Sequence, residues 1–156
     1  MKTIYFFVAS SAELKCERME FVDLMQDMND ELEGHNIKLK PVLWEYMDSS
    51  MRAERKEDEY LVKLRECEVC IVLFWKTLGE YTLEELEVAV SEKSTLQKPR
   101  YIYVLFKEPS ETTTEELQSF KLRFQHYYKG IPYCTFTNVK MFRQIITNIF
   151  KQVLEI

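Results

Sequence analysis

Residues 68–96 read EVCIVLFWKTLGEYTLEELEVAVSEKSTL, and this stretch decides the fold. Its opening, EVCIVLFW, is apolar almost without interruption, which is typical of a parallel strand buried on both faces. A turn at Gly79 follows, and residues 82–96 then show the spacing of an amphipathic helix. The apolar positions on one side of that helix are Leu83, Leu86, Ala89 and Val90. The stretch is therefore predicted to be a strand followed by a helix, with the strand at the centre of a sheet.

Similar strand and helix patterns occur on both sides of this stretch. Apolar, β-rich segments predict further strands at residues 3–9, 37–44, 101–106 and 131–136. Helical spacing predicts further helices at residues 12–33, 58–66, 113–128 and 138–155. Pro41 predicts that the second strand lies at an edge or carries a bulge. The polar segment from Glu45 to Glu57 is predicted to be a long loop.

Strict alternation of apolar strands with helices indicates a parallel sheet covered by helices on both faces. The predicted fold class is α/β: a flavodoxin-like, doubly wound, five-stranded parallel sheet in the order 2-1-3-4-5, formed by residues 1–156 as a single domain. Ligands of such sheets bind beyond the carboxyl ends of the strands, where strands 1 and 3 lead to opposite faces. This rule selects Ser10 and Ser11 after strand 1, and the segment from Trp75 to Tyr81 after strand 3.

Composition and charge exclude several classes of protein. Hydrophobic residues are 46% and charged residues 30% of the chain, which is an ordinary globular composition. The net charge is −5, with basic and acidic residues interleaved, so nucleic acid is not expected as a direct partner. No apolar run approaches the roughly 20 residues that span a bilayer, and the first apolar stretch is interpreted as a strand. We therefore expect a cytoplasmic protein without a membrane partner.

Cysteines, histidines and glycines do not form a known cofactor motif. Cys67 and Cys70 make a C-x-x-C pattern, but it falls where a charged helix meets an apolar strand, so we expect two reduced thiols that pack in the core. His35 and His126 are far apart in the sequence and have no Cys or His at metal-ligand spacing, so no metal site is predicted. The glycine patterns of dinucleotide and P-loop sites are absent. No cofactor is expected.

Glu85 has two interpretations. Thr82 as the N-cap and Glu85 at the third helical position would form a capping box, which leaves Glu84 and Glu87 on the solvated surface. The second interpretation comes from resemblance. YTLEELEVA, residues 81–89, resembles the segment of Toll/interleukin receptor (TIR) domains in which an aromatic residue is followed, four positions later, by Glu-Leu at the start of the third helix. Tyr81 takes the aromatic place here, and Glu85-Leu86 takes the place of Glu-Leu.

Two further stretches resemble a bacterial TIR-like family. FFVASSAELKCERMEF, residues 6–21, resembles its opening, with Ser-Ser after strand 1 and Glu17-Arg18 on the first helix. CEVCIVLFWKTLGEYTLEELEVAV followed by KPRYIYVLF resembles its third and fourth strands. Nucleoside 2-deoxyribosyltransferases, of similar fold, have an active-site glutamate in a comparable Glu-x-x-x-Ala setting, which corresponds to Glu85 and Ala89.

The resemblance implies that the chain is an NAD glycohydrolase, with NAD as a substrate and Glu85 as the catalytic carboxylate. It also implies the N-terminal effector domain of a longer bacterial defence or signalling protein, which self-associates through TIR-like surfaces. Two alternatives stay open: an interaction module without catalysis, and a nucleoside or nucleotide N-glycosidase.

The remaining candidate site residues are aromatic or hydroxylic. Trp44, Trp75 and Tyr81 are predicted near the ends of strands, where their rings can stack on nicotinamide or adenine, although either Trp can equally close the edge of the core. Ser10 and Ser11 can hydrogen-bond ribose or phosphate, or simply cap the first helix. Arg18 is expected on the surface, paired with carboxylates of its own helix.

Overall fold

The sheet has the predicted strand order. The computed structural model describes residues 1–43, 57–108 and 114–156, without the side chains of residues 57–61, 80 and 81. The strands are β1 (Lys2–Ser10), β2 (Ile37–Val42), β3 (Val69–Phe74), β4 (Tyr101–Lys107) and β5 (Tyr133–Phe136). They form one five-stranded sheet in the order β2-β1-β3-β4-β5, and every neighbouring pair is parallel. The prediction of a central third strand is confirmed, and all six residues of β3 are buried.

Helices cover both faces of this sheet. They are α1 (Lys15–Glu31), α2 (Glu57–Glu66), α3 (Glu80–Leu96), α4 (Glu115–Tyr127) and α5 (Val139–Leu154), with a 3₁₀ turn (Ala12–Leu14) before α1. α1 and α5 pack on one face, and α2, α3 and α4 pack on the other. The predicted flavodoxin-like, doubly wound α/β architecture is therefore confirmed.

Phenylalanine rings fill the core on each face. On the α1 face, Phe6 of β1 meets Phe150 of α5 edge to face, with centroids 5.3 Å apart. On the opposite face, Phe74 and Phe106 of neighbouring strands stack with centroids 5.6 Å apart. Because both faces of the central strands are packed in this way, the sheet holds the carboxyl ends of β1, β3 and β4 in fixed relative positions.

Pro41 lies in an edge strand, as predicted. It pairs with Phe6 at the outer side of β1, where a residue without an N–H group removes no hydrogen bond from the interior of the sheet. α1 is tied to the same strand through Asn29, whose amide accepts a hydrogen bond from Leu39 N at 2.8 Å and donates one to Leu39 O at 2.9 Å. Trp44 and residues 45–56 of the predicted loop lie outside the described residues.

The cysteines of the C-x-x-C pattern are buried and not bonded to each other. Cys67 and Cys70 are both free thiols with no exposed surface. Burial, followed by the charge of Glu66, raises the pKa of Cys67 to about 12, and burial raises the pKa of Cys70 well above its usual value. Both thiols are therefore neutral packing groups at ordinary pH.

Among the residues the structure describes, no helix is both long and apolar enough to cross a bilayer, and no group of three His, Cys, Asp or Glu side chains is placed to hold a metal ion.

Candidate functional site at the carboxyl end of the sheet

The site is formed where β1, β3 and β4 end side by side. Alternate residues of a strand face the same side of the sheet, so the last residues of these strands are directed to one face in register. Ser10 ends β1, Trp75 follows β3 and packs against the core of the α1 face, and Lys107 ends β4. The first turn of α1 lies over the same edge, because the chain enters this helix directly from β1 through the 3₁₀ turn.

Arg18 is buried and bound to the end of β1, so the prediction that it lies on the surface is wrong. Arg18 is only 4% exposed. Nη1 donates to Ser10 Oγ at 2.6 Å and to the carbonyl oxygen of Ser11 at 2.8 Å. The physical reason is direction: helical side chains lean toward the N-terminus, so an arginine in the first turn of α1 points back at the strand from which the helix comes.

The serines do not cap the first helix through their side chains. Ser11 occupies the N-cap position of the 3₁₀ turn, but its hydroxyl makes no capping hydrogen bond. The hydroxyl oxygen of Ser10 accepts from Arg18 instead. The capping interpretation of Ser10 and Ser11 is therefore wrong, whereas their predicted contact with ribose or phosphate stays a prediction.

A buried ion pair crosses the same edge. Lys107 Nζ lies 2.5 Å from Glu17 Oε1, and Glu17 is 2% exposed. The same ammonium lies 3.9 Å from the centroid of the Trp75 ring, and Lys76 Nζ lies 4.5 Å from it. Trp75 is thus both a partly buried ring against the core and the cation-binding surface for two lysines.

α3 begins earlier than predicted, and this changes the role of Glu85. Gly79 is the N-cap and its carbonyl accepts from Leu83 N at 2.9 Å, so the helix starts at Glu80. Thr82 is then the third helical residue and Glu85 the sixth, too far along the helix for a capping box. The capping-box prediction is wrong because a glycine, which has no side chain to accept a bond, occupies the N-cap.

Glu85 is instead a buried carboxylate on the side of α3 that faces the sheet. It is 4% exposed, and Leu86 and Ala89 of the same side are fully buried in the core beside β3. Its charge adds to burial in raising the pKa of Cys70 on β3. Glu87 is exposed as predicted, but Glu84 is half-buried, so the prediction of a solvated Glu84 is wrong.

The two sides of the switch point come close together at Gly79. A methyl group placed on Gly79 would lie 3.2 Å from Thr82 Oγ1 and 3.8 Å from Cβ of Ser11. The start of α3 is therefore packed against the segment that follows β1. Since α1 and α3 cover opposite faces, Arg18 and Glu85 flank this edge from opposite sides of the sheet.

Other predicted site residues are not positioned by the structure. Trp44 lies outside the described residues, and so does the side chain of Tyr81, although its backbone is part of α3. Glu17 and Lys107 were not predicted as site residues. A signal for Lys107 exists in the sequence: it is the first charged residue after the apolar strand YIYVLF, so the rule that selected Ser10 and Trp75 also applies to it.

Clefts lined by described residues occur elsewhere in the molecule. One of about 280 Å³ lies between β4, β5 and α5, beside Tyr103 and Cys134. Two open clefts of about 430 and 440 Å³ lie beside Tyr128 and beside Arg143. Ser10, Trp75 and Glu85 line none of these three clefts. The candidate site is therefore identified from strand topology and buried charge, and not from the volume of a cleft.

Comparison with known proteins supports the fold. No protein-family model and no curated protein matches the chain. Among solved structures, the chain is similar to rubredoxin oxygen:oxidoreductase from the anaerobe Desulfovibrio gigas, with a TM-score of 0.50 and 7% sequence identity. The match covers 96% of this chain and 34% of that one, so the chain spans about a third of the length of that structure. At this identity the likeness shows the fold alone.

Proposed function

We propose that the chain is a TIR-type NAD glycohydrolase that cleaves the nicotinamide–ribose bond, with Glu85 as the catalytic carboxylate. The observation that carries the proposal is the position of Glu85, which is buried in the second turn of the helix that leaves the central strand. Ionisable groups in such surroundings cluster at functional sites, so the burial of Glu85 supports a catalytic role.

The chemistry suits a site with one carboxylate. Nicotinamide leaves as a neutral molecule from a cationic pyridinium, so its departure needs no general acid. The positive charge then develops on the ribose, as it does in glycoside cleavage, and a fixed carboxylate stabilises it. In this proposal the carboxylate of Glu85 faces the ribose carbon from which nicotinamide departs.

Residues at the strand ends bind the rest of the substrate in this proposal. Ser10 and Ser11 hydrogen-bond ribose or phosphate, and Trp44, Trp75 and Tyr81 supply rings for the bases. For Trp75 a base has to displace a lysine ammonium from the ring, because Lys107 and Lys76 both lie against it. The protein is further proposed to act after self-association, as an effector domain in bacterial defence or signalling.

The test is release of nicotinamide by the concentrated protein supplied with NAD. Glu85→Gln keeps the size of the side chain and should lower the rate by about a hundredfold or more, because the negative charge is lost. The matched control is Glu87→Gln, on the same helix but exposed, which should keep the parent rate. Melting temperatures of both variants show whether they are folded.

Three outcomes separate the alternatives. A folded Glu85→Gln variant that releases nicotinamide at the parent rate removes Glu85 from catalysis. A concentrated parent protein that releases none supports the interaction module without catalysis. Cleavage of nucleosides in a parallel assay, without cleavage of NAD, supports the N-glycosidase.

A further inference from the structure

We propose that Glu17, Lys107 and Trp75 form a binding site for the vicinal diol of a ribose, on the α1 face of the carboxyl end of the sheet. These residues come from three elements: α1, the end of β4 and the segment after β3. The inference names the part of the substrate that this edge holds. It rests on the proposed function for the identity of the ligand, but its test measures binding and needs no cleavage.

The first observation is an unpartnered acceptor. Glu17 Oε1 is bound to Lys107, but Glu17 Oε2 is buried and has no hydrogen-bond partner among the residues that the structure describes. A buried carboxylate oxygen without a partner is unfavourable, and such atoms in native proteins are usually satisfied by a ligand or by ordered water. An acceptor of this kind requires a group that donates a hydrogen bond.

The second observation is an unpartnered donor on a residue that contacts the same lysine. Trp75 Nε1 is likewise buried and has no partner within the described part of the chain. Lys107 connects the two residues, because its Nζ lies 2.5 Å from Glu17 Oε1 and 3.9 Å from the centroid of the Trp75 ring. One acceptor and one donor are thus placed around a single ammonium group.

Charge decides what kind of ligand fits. The Glu17 carboxylate and the Lys107 ammonium neutralise each other, so this pair by itself presents no net charge to a phosphate or to a cation. A neutral group that both donates and accepts fits better. Neighbouring hydroxyls of a pentose meet this condition, because one can donate to Glu17 while the other accepts from Trp75. Carboxylates bind ribose hydroxyls in the same way in dinucleotide-binding folds.

The position of the pair allows a ligand to reach it. Lys107 is 23% exposed at its side chain, whereas Glu17 is almost fully enclosed, so a ligand approaches the carboxylate past the lysine. Ser10 and Ser11, both partly exposed, lie on the same edge and are held by Arg18. A ribose bound at Glu17 would therefore lie at the edge where the switch-point rule places ligands.

The test compares ribose with deoxyribose ligands in variants of the site. AMP and nicotinamide mononucleotide, each with one diol, and their 2′-deoxy counterparts are titrated calorimetrically into the Glu85→Gln protein, in which turnover should be slow. We expect at least one ribose compound to bind about tenfold or more tightly than its deoxy counterpart, because a hydrogen bond to a charged group is lost. Adding Glu17→Gln should remove this preference.

Two further variants keep the result interpretable. Trp75→Phe keeps an aromatic ring near Lys107 but removes the N–H group together with the five-membered ring of the indole, so it should weaken binding of the ribose compound even if Glu17→Gln fails to fold. The control is Glu20→Gln. Glu20 is a second carboxylate of α1, and it is ion-paired with Arg143. Its replacement should leave the preference for ribose over deoxyribose intact.

The following results would overturn the diol site: no compound binds, the preference is unchanged in both Glu17→Gln and Trp75→Phe, or free nicotinamide binds in a manner that depends on Glu17. The last result would assign the pair to a carboxamide. A ribose preference that depends on Glu17, in a protein that releases no nicotinamide from NAD, would keep the diol site and remove the proposed function. Release of nicotinamide from NAD without such a preference would keep the proposed function and remove the diol site.

Discussion

Arg18 Nη1 lies 2.6 Å from Ser10 Oγ, so the first helix is fastened by a buried arginine to the last residue of the strand before it. The same nitrogen also donates to the carbonyl oxygen of Ser11, which belongs to the connecting turn. The connection between β1 and α1 is therefore fixed by side-chain hydrogen bonds as well as by core packing. Since Ser11 also lies close to Gly79 at the start of α3, this fixed turn helps to position both sides of the switch point.

Replacing Arg18 should destabilise the fold more than replacing an exposed arginine. Arg18→Gln shortens the side chain and leaves Ser10 Oγ and the Ser11 carbonyl without their donor, which should cost about 1–3 kcal/mol. Arg143→Gln removes an arginine whose side chain is 40% exposed in its pair with Glu20, and should cost at most about 1 kcal/mol. Urea denaturation of both variants measures the difference. Equal losses would show that the buried hydrogen bonds of Arg18 add no more stability than the exposed ion pair of Arg143.

Stability should fall as the solution becomes alkaline, because buried thiols stay protonated in the folded chain. Burial raises the pKa of Cys67 from 9.0 to about 12. Between these values the unfolded chain has lost this proton and the folded chain keeps it, so the free energy of unfolding falls by about 1.4 kcal/mol per pH unit for such a group. The contribution is fully present below pH 9.0 and declines above it.

Cys67→Ser tests this origin of the alkaline loss, since a serine hydroxyl does not titrate in this range. Chemical denaturation at several pH values from 8 to 11 should give a shallower decline for Cys67→Ser than for the parent. Cys16→Ser removes an exposed thiol and should leave the slope as in the parent. An unchanged slope for Cys67→Ser would assign the alkaline loss to other groups.

Cleavage of NAD should become more efficient as the protein becomes more concentrated. The proposed function includes self-association, and a site that a neighbouring copy completes stays incomplete in dilute solution. Nicotinamide released per molecule per unit time should therefore rise over a roughly hundredfold concentration series. Constant turnover across the series would indicate that one copy of the chain is a complete enzyme.

The sequence by itself determined the architecture. The uninterrupted apolar segment of β3 and the strict alternation of strands with helices were enough to predict a parallel sheet, its strand order and the central place of that strand. Pro41 was enough to predict that the second strand lies at an edge or carries a bulge, and the structure places it at the edge. These features follow from local periodicity and from general rules of chain connection, which act on each segment whatever its distant neighbours are.

Only the tertiary structure decided the surroundings of the polar side chains at the edge of the sheet. Local spacing placed Arg18 on the surface and Glu85 in a capping box, but packing buries Arg18 at the end of β1, and Gly79 starts α3 before Thr82. The ion pair of Glu17 with Lys107 joins residues 90 positions apart in the sequence. Periodicity indicates which side of an element meets the core, whereas the partners of a charged side chain depend on which distant strand end folding brings beside it.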